Sequence, residues 1–313
     1  METVEAVEAN FTFAQEFSSP VVAAVLIIQV ILALIANGVV LSITLYQRKS
    51  WKQSSTIFFT SLILAHLVLN LLYLPFTIIA LAAGEWIFGS TDEEKRGTCT
   101  FAAFVFVSSI LAIFMTLAAI SFDRFLFIVK PHLHKRFMRP WVALTLTIAI
   151  WTLSAVLSFT PFFGFGHFLY FSRIGSCFPI WATLEYELYT LALVATNLLI
   201  IAVTSVLTFC FTRRFINNQS LITPNVYSCE KKRLFGIFGA MLLSYVVCFI
   251  PSVILIFLFL FPFTMPVEYI VTCFVSVLFV TTVNPLIQSY FRPEVKAIIN
   301  SMFFQKLSKK ILV

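Results

Sequence analysis

Asp123 and Arg124 set an acid beside a base at the end of an apolar run, and Phe125 to Val129 resume the apolar character directly after them. The stretch 101–120 before them carries no charge at all. Charge in such surroundings is costly unless paired, and where it persists it usually serves a function. Taken alone, the pair also fits a basic residue snorkelling to the membrane interface. The remaining candidate chemistry is sparse. The four histidines are His66, His132, His134 and His167, and no His-Glu-x-x-His or paired Asp accompanies them. His66 lies inside an apolar run, His132 and His134 read as a solvated inner-loop face, and His167 falls in an outer loop. This inventory offers neither a metal site nor a nucleophile with its base, so no enzyme is expected.

These residues are carried by long apolar blocks. The chain has 313 residues, 60% hydrophobic and 11% charged, against about half and a quarter in an ordinary soluble domain. Seven runs are long enough for spanning helices: Val21–Leu45, Thr56–Ala83, Thr98–Ile128, Trp141–Phe163, Leu184–Phe211, Leu234–Phe261 and Val267–Tyr290. Each exceeds the roughly 20 residues a helix needs to cross a bilayer, and all are far longer than barrel strands. The expected fold is an all-α membrane protein, a seven-transmembrane helix bundle with a short amphipathic C-terminal helix. Its parts are an extracellular N-terminal tail (1–20), the bundle (21–290) and the amphipathic helix with a cytoplasmic tail (291–313).

Orientation follows from Lys and Arg. With the N-terminus outside, all of the 21 Lys and Arg except Lys95, Arg96 and Arg173 fall inside. The net charge of +7 then matches an anionic inner leaflet, and no nucleic-acid patch is visible. The lipid bilayer is the first partner, and the plasma membrane the expected location. Asn10-Phe11-Thr12 becomes an outer glycosylation acceptor, whereas Asn218-Gln219-Ser220 lies inside. Cys99 and Cys177 alone share the oxidising side and form the one plausible disulfide. In the tail, Val295, Ile298, Ile299, Met302 and Phe303 fit the apolar face of a helix lying on the inner leaflet.

Several motifs, in order and at matching depth, resemble those of rhodopsin-like (class A) G-protein-coupled receptors. Asp123-Arg124-Phe125 is similar to the family's Asp-Arg-Tyr. Asn37 in LIANGVV, Pro75 closing SLILAHLVLNLLYLPF, EWIFG at 85–89, and Trp151 with Pro161 resemble the family's first helix, second helix, first outer loop and fourth helix in turn. YVVCFIPS, with Phe249 and Pro251, resembles the sixth-helix Phe-x-x-Cys-Trp-x-Pro. NPLIQSYF, with Asn284, Pro285 and Gln288, resembles the seventh-helix Asn-Pro-x-x-Tyr. The resemblance covers about residues 20 to 305.

The resemblance implies a heterotrimeric G protein as partner, met by Arg124, and a pocket lined by Phe106, Val107, Ile110, Phe249, Ser252, Val253, Phe274 and Leu278. Phe106 replaces the counter-ion of amine receptors and Leu278 replaces the opsin Lys, so no cofactor is implied and any ligand is lipophilic. Four switch positions depart from the family pattern. His66 stands where an acid often anchors sodium, with Ile113 in place of a hydroxyl. Lys231 stands where an acid often restrains Arg124, so ligand-free activity is expected. Phe249 and Gln288 replace Trp and Tyr. His66 is expected to bond Asn37 or Asn284. The alternative is a receptor-like protein that traffics or dimerises without coupling; a transporter lacks support, since neither repeated halves nor broken helices are visible.

Overall fold

The computed structural model describes residues 11–12, 18–47, 51, 53–172, 174–180, 183–219, 228–259, 266–291, 295–298 and 301. The helices are α1 (Ser19–Tyr46), α2 (Ser54–Leu72), α3 (Leu74–Ala83), α4 (Asp92–Val129), α5 (Pro131–Phe137), α6 (Pro140–Ser158), α7 (Leu184–Gln219), α8 (Ser228–Phe259) and α9 (Val267–Phe291). Among the described residues, 6 spans are long and apolar enough to cross a membrane, α2 and α3 counting together as Ser54–Ala83, and α8 adds the shorter apolar stretch Leu242–Leu258. The seven-span bundle is therefore present. α4 packs against α2, α6 and α7, and α9 packs against α1 and α8.

Local chemistry sets boundaries that hydrophobicity alone misses. The second run breaks at Tyr73, because Pro75 opens α3 without a backbone N–H to continue the ladder. Gly84, at φ 77, then closes α3 in a conformation that costs glycine little. α4 starts at Asp92, ahead of the apolar run, because Thr91 and Glu94 form a reciprocal capping box. The acids Asp92, Glu93 and Glu94 favour the same helix end electrostatically. The fourth run stops as an α-helix at Ser158 and tightens into a 3-10 turn, Thr160–Phe163, around Pro161.

The second outer loop is a hairpin. β1 (His167–Phe171) pairs antiparallel with β2 (Ser176–Ile180), Tyr170 opposite Cys177. Cys177 is bonded to Cys99 near the outer end of α4, which pins the hairpin across the bundle mouth. The Phe11 carbonyl accepts from the Trp86 N–H at 2.9 Å, and the Phe11 ring lies 6.0 Å from Tyr170. Burial and nearby Glu85 push the Tyr170 hydroxyl up to about 12, so it stays protonated. At the opposite end residues 295–298 are helical, and Val295 is buried with Val40, Ile43 and Ile63. The rest of the expected amphipathic helix, and Asn10, lie outside the described residues.

Several hydroxyls inside the spans are satisfied locally. Thr44, Thr60, Ser158 and Thr208 each donate to the carbonyl four residues back. An apolar interior supplies no water for such groups, so this back-bonding removes a desolvation cost. The outward faces stay apolar: Ile28 and Ile35 of α1, Ile148 and Val156 of α6, and Leu199 and Val206 of α7 are all exposed. On a soluble domain such faces would aggregate; against acyl chains they cost nothing.

Candidate functional site: an outer cavity, a buried core and an inner ion pair

Asp123, nearly inaccessible at the inner end of α4, receives three donors. Ser54 Oγ donates to its Oδ1 at 2.6 Å. His134 Nε2 lies 3.0 Å from the same oxygen. Arg124 Nη2 lies 3.4 Å from Oδ2. The arginine also sits over the rings of Phe59 at 6.0 Å and Phe127 at 5.8 Å, which offsets part of its desolvation.

His134 departs from the solvated face expected of it. Its side chain is 18% exposed and its ring meets Phe127 edge-on at 5.2 Å, while His132 remains exposed. The reason is a single turn: Pro131 starts α5 immediately after α4, and three residues further on the chain has folded back over Asp123. Pro131 and the short loop were the available signal. Lys231 falls on the first turns of α8, and its side chain lies outside the described residues.

At mid-depth, Asn37 Nδ2 donates to the carbonyls of Ala33 and Thr281, both at 2.8 Å, joining α1 to α9. Asn284 Nδ2 donates to the Tyr245 hydroxyl at 3.2 Å, joining α9 to α8. His66 is fully buried, and neither ring nitrogen has a hydrogen-bond partner among the described residues. The expected bond from His66 to Asn37 or Asn284 is not formed: the amide N–H groups are committed across other helix pairs, and neither amide oxygen meets the imidazole. Gln288 is likewise fully buried, and its amide has no hydrogen-bond partner among the described residues. Pro251 and Pro285 sit inside α8 and α9.

Above this layer is a cavity of about 340 Å3. Phe106, Val107, Ile110, Ser252, Val253 and Phe274 line it, with Phe249 and Phe114 at one wall. Leu278 does not. It lies one turn deeper than Phe274 and is wholly enclosed in the main core. Phe171, Ile174, Phe178 and Pro179 of the hairpin complete the enclosure. The only sign of these four in the sequence is their closeness to Cys177. Among the described lining residues no side chain is charged, and three hydroxyls are engaged within the protein: Ser252 donates to Cys273 O at 3.3 Å, Tyr189 to Leu157 O at 3.1 Å and Thr190 to Glu187 O at 2.9 Å.

The rings form a continuous path inward. Phe249 meets Phe114 at 4.5 Å, and Tyr245 stacks on Phe249 at 5.7 Å with planes 4° apart. The far side of Tyr245 is its bond to Asn284.

Comparison with known proteins supplies family context. The profile described as "7 transmembrane receptor (rhodopsin family)" matches residues 36–288. G-protein coupled receptor 161 of Xenopus tropicalis is 26% identical over 164 residues, 52% of this chain and 27% of that protein. The human D(1B) dopamine receptor is 31% identical over 144 residues, 46% of this chain and 29% of that receptor. The human melatonin receptor type 1B is 31% identical over 199 residues, 63% and 51% respectively. The matched segments thus span only part of these relatives' lengths. Squid rhodopsin superposes with a TM-score of 0.75 over 95% of this chain and 88% of that one, at 19% identity, a likeness of fold.

Proposed function

Because this chain belongs to the rhodopsin family of seven-transmembrane receptors, we propose that it transduces a lipophilic signal from the outer cavity to a heterotrimeric G protein at the inner end of α4. The observation that carries the reading is the cavity itself: about 340 Å3, closed by a disulfide-pinned hairpin, with no charge among its described lining residues. A cationic amine or acidic ligand would leave its charge unpaired there, at a desolvation cost of several kcal/mol. An apolar ligand gains about 25 cal/mol for each Å² it buries.

The protein acts at the plasma membrane with its N-terminus outside, a placement supported by the distribution of Lys and Arg and by an outer disulfide. Asp123 restrains Arg124, and Arg124 is the group a G protein meets. Lys231, where an acid would complete the restraint, leaves the closed arrangement weakly held, so the receptor signals without ligand.

The test is nucleotide exchange in membranes across G-protein types, with wild type, Arg124→Ala and Lys231→Glu at matched surface expression. Wild type is expected to stimulate exchange, Arg124→Ala to abolish it and Lys231→Glu to lower it. Equal exchange by wild type and Arg124→Ala would overturn the role of Arg124. Absence of exchange with every G protein would favour a receptor-like protein that does not couple.

A further inference from the structure

A second concavity, of about 540 Å3, opens on the outside of the bundle between α4 and the end of α6. Its α4 wall follows one helix face, because residues three and four apart lie above one another. Glu93 and Arg96 stand at the top, Gly97 and Thr100 follow, and Phe104 lies at the bottom. The eight steps from Arg96 to Phe104 rise about 12 Å. Along that distance the wall passes from full charges through a hydroxyl to aromatic rings.

The facing wall is also aromatic. Phe159 and Phe162 stack at 4.3 Å, since three residues complete one turn of the 3-10 segment around Pro161. Both meet Phe104 edge-on, at 5.6 and 5.9 Å, yet both rings remain exposed to the membrane side. Gly97 opens the groove between the charged and the aromatic parts: a side-chain carbon there would meet nothing within 4 Å. Among the described residues neither Glu93 nor Arg96 enters an ion pair, although neighbouring Lys95 reaches Glu85 at 3.9 Å. An unpaired cation and an unpaired anion thus stand three residues apart above an empty apolar slot.

We propose that this groove binds one phospholipid with a zwitterionic headgroup, drawn from the leaflet on the side of the Cys99–Cys177 bond. Arg96 takes the phosphate, for which its planar fork of N–H donors is suited. Glu93 takes the ammonium group. One acyl chain passes over Gly97 and lies on Phe104, Phe159 and Phe162. The polarity gradient along α4 matches a phospholipid from headgroup to chain. A sterol, with a single hydroxyl, would satisfy only one of the two charges, and a lipid with an anionic headgroup would set a negative charge against Glu93. This site is separate from the signalling cavity and does not depend on G-protein coupling.

The experiment uses the full chain in nanodiscs of phosphatidylcholine carrying a trace of a photoactivatable phosphatidylcholine, with cross-links mapped by peptide mass spectrometry. Labelling should concentrate on segments 93–104 and 159–162 relative to the outward face of α1. Gly97→Leu, which fills the slot, and Arg96→Gln, which removes the cation, should each lower it by about tenfold. The disulfide and the thermal midpoint report folding in each variant, and Phe162→Ala replaces Gly97→Leu if that protein fails to fold. Labelling spread evenly over all lipid-facing helices would reduce the groove to ordinary annular contact and overturn the proposal. Preferential labelling by a photoactivatable sterol, or equal labelling by phosphatidylglycerol, would overturn the choice of headgroup.

Discussion

Replacing Tyr245 by Phe removes one oxygen and leaves the ring in place. That oxygen accepts from Asn284 Nδ2 at 3.2 Å inside a fully buried contact between α8 and α9. The stack of Tyr245 on Phe249 survives the change. A neutral buried hydrogen bond contributes a net of about 0.5–1.5 kcal/mol, and a donor left unpaired costs about 1–3 kcal/mol. The arrangement seen here therefore loses about 1–3 kcal/mol. If α8 moves away from α9 on activation, the bond is already broken in the active arrangement, and the loss falls on the resting side alone. The active-to-resting ratio then rises by about 5- to 150-fold. Ligand-free nucleotide exchange at matched surface expression reads that ratio, and a fluorophore pair on the inner ends of α4 and α8 reads it without a G protein. Unchanged or reduced exchange together with unchanged fluorophore spacing would refute the idea that this hydroxyl restrains α8.

Other contacts give simpler expectations. Non-reducing peptide maps should recover Cys99 linked to Cys177, and Cys99→Ser should cost about 2–5 kcal/mol in stability; an unchanged thermal midpoint would count against a structural role for the bond. His134→Phe removes one of the three donors on Asp123 and should lower stability by about 1.5–3 kcal/mol, with His134→Gln recovering part of it; equal midpoints for all three proteins would show that the contact contributes nothing. Exchanging potassium for sodium at constant ionic strength should leave the midpoint unchanged, because His66 and Ile113 offer no hard oxygen at the depth where relatives can hold sodium; a sodium-specific rise would refute the loss of that site.

The runs of apolar residues were legible because each exceeds a bilayer's thickness in helix length, and that signal needs no tertiary information. Their ends were less so. α4 begins at Asp92 because of a two-residue capping exchange, which a hydropathy window averages away. The hairpin escaped because its strands are five residues each and it is fixed by a bond to a residue 78 positions away. Phe106 and Phe274 face the cavity as positional correspondence implies, whereas Leu278 shares the helix but packs inward. His66 and His134 show the limit most plainly. His66 is sealed in the core without a partner for its ring, and His134 rests against a carboxylate that only the turn at Pro131 brings to it.

The location of the cross-helix bonds bears on how the two ends communicate. Asp123 and Arg124 are neighbours on α4, so their attraction cannot by itself oppose a separation of α4 from α8. Among the bonds that cross between elements are Ser54 to Asp123 and His134 to Asp123 on one side, and Asn284 to Tyr245 on the other. The first set ties α2 and α5 to α4; the second ties α9 to α8. Between these two bodies stands the contact of Phe114 on α4 with Phe249 on α8, at 4.5 Å, and both rings line the cavity. A ligand that displaces either ring acts on the boundary between the bodies, without having to break a bond within one. On this reasoning Phe114→Leu and Tyr245→Phe act on different parts of one equilibrium, the first on the boundary and the second inside the α8–α9 body. If the two are independent their effects on ligand-free exchange should add as free energies; a coupling well beyond about 0.5 kcal/mol would show that the stack and the hydroxyl work as one unit.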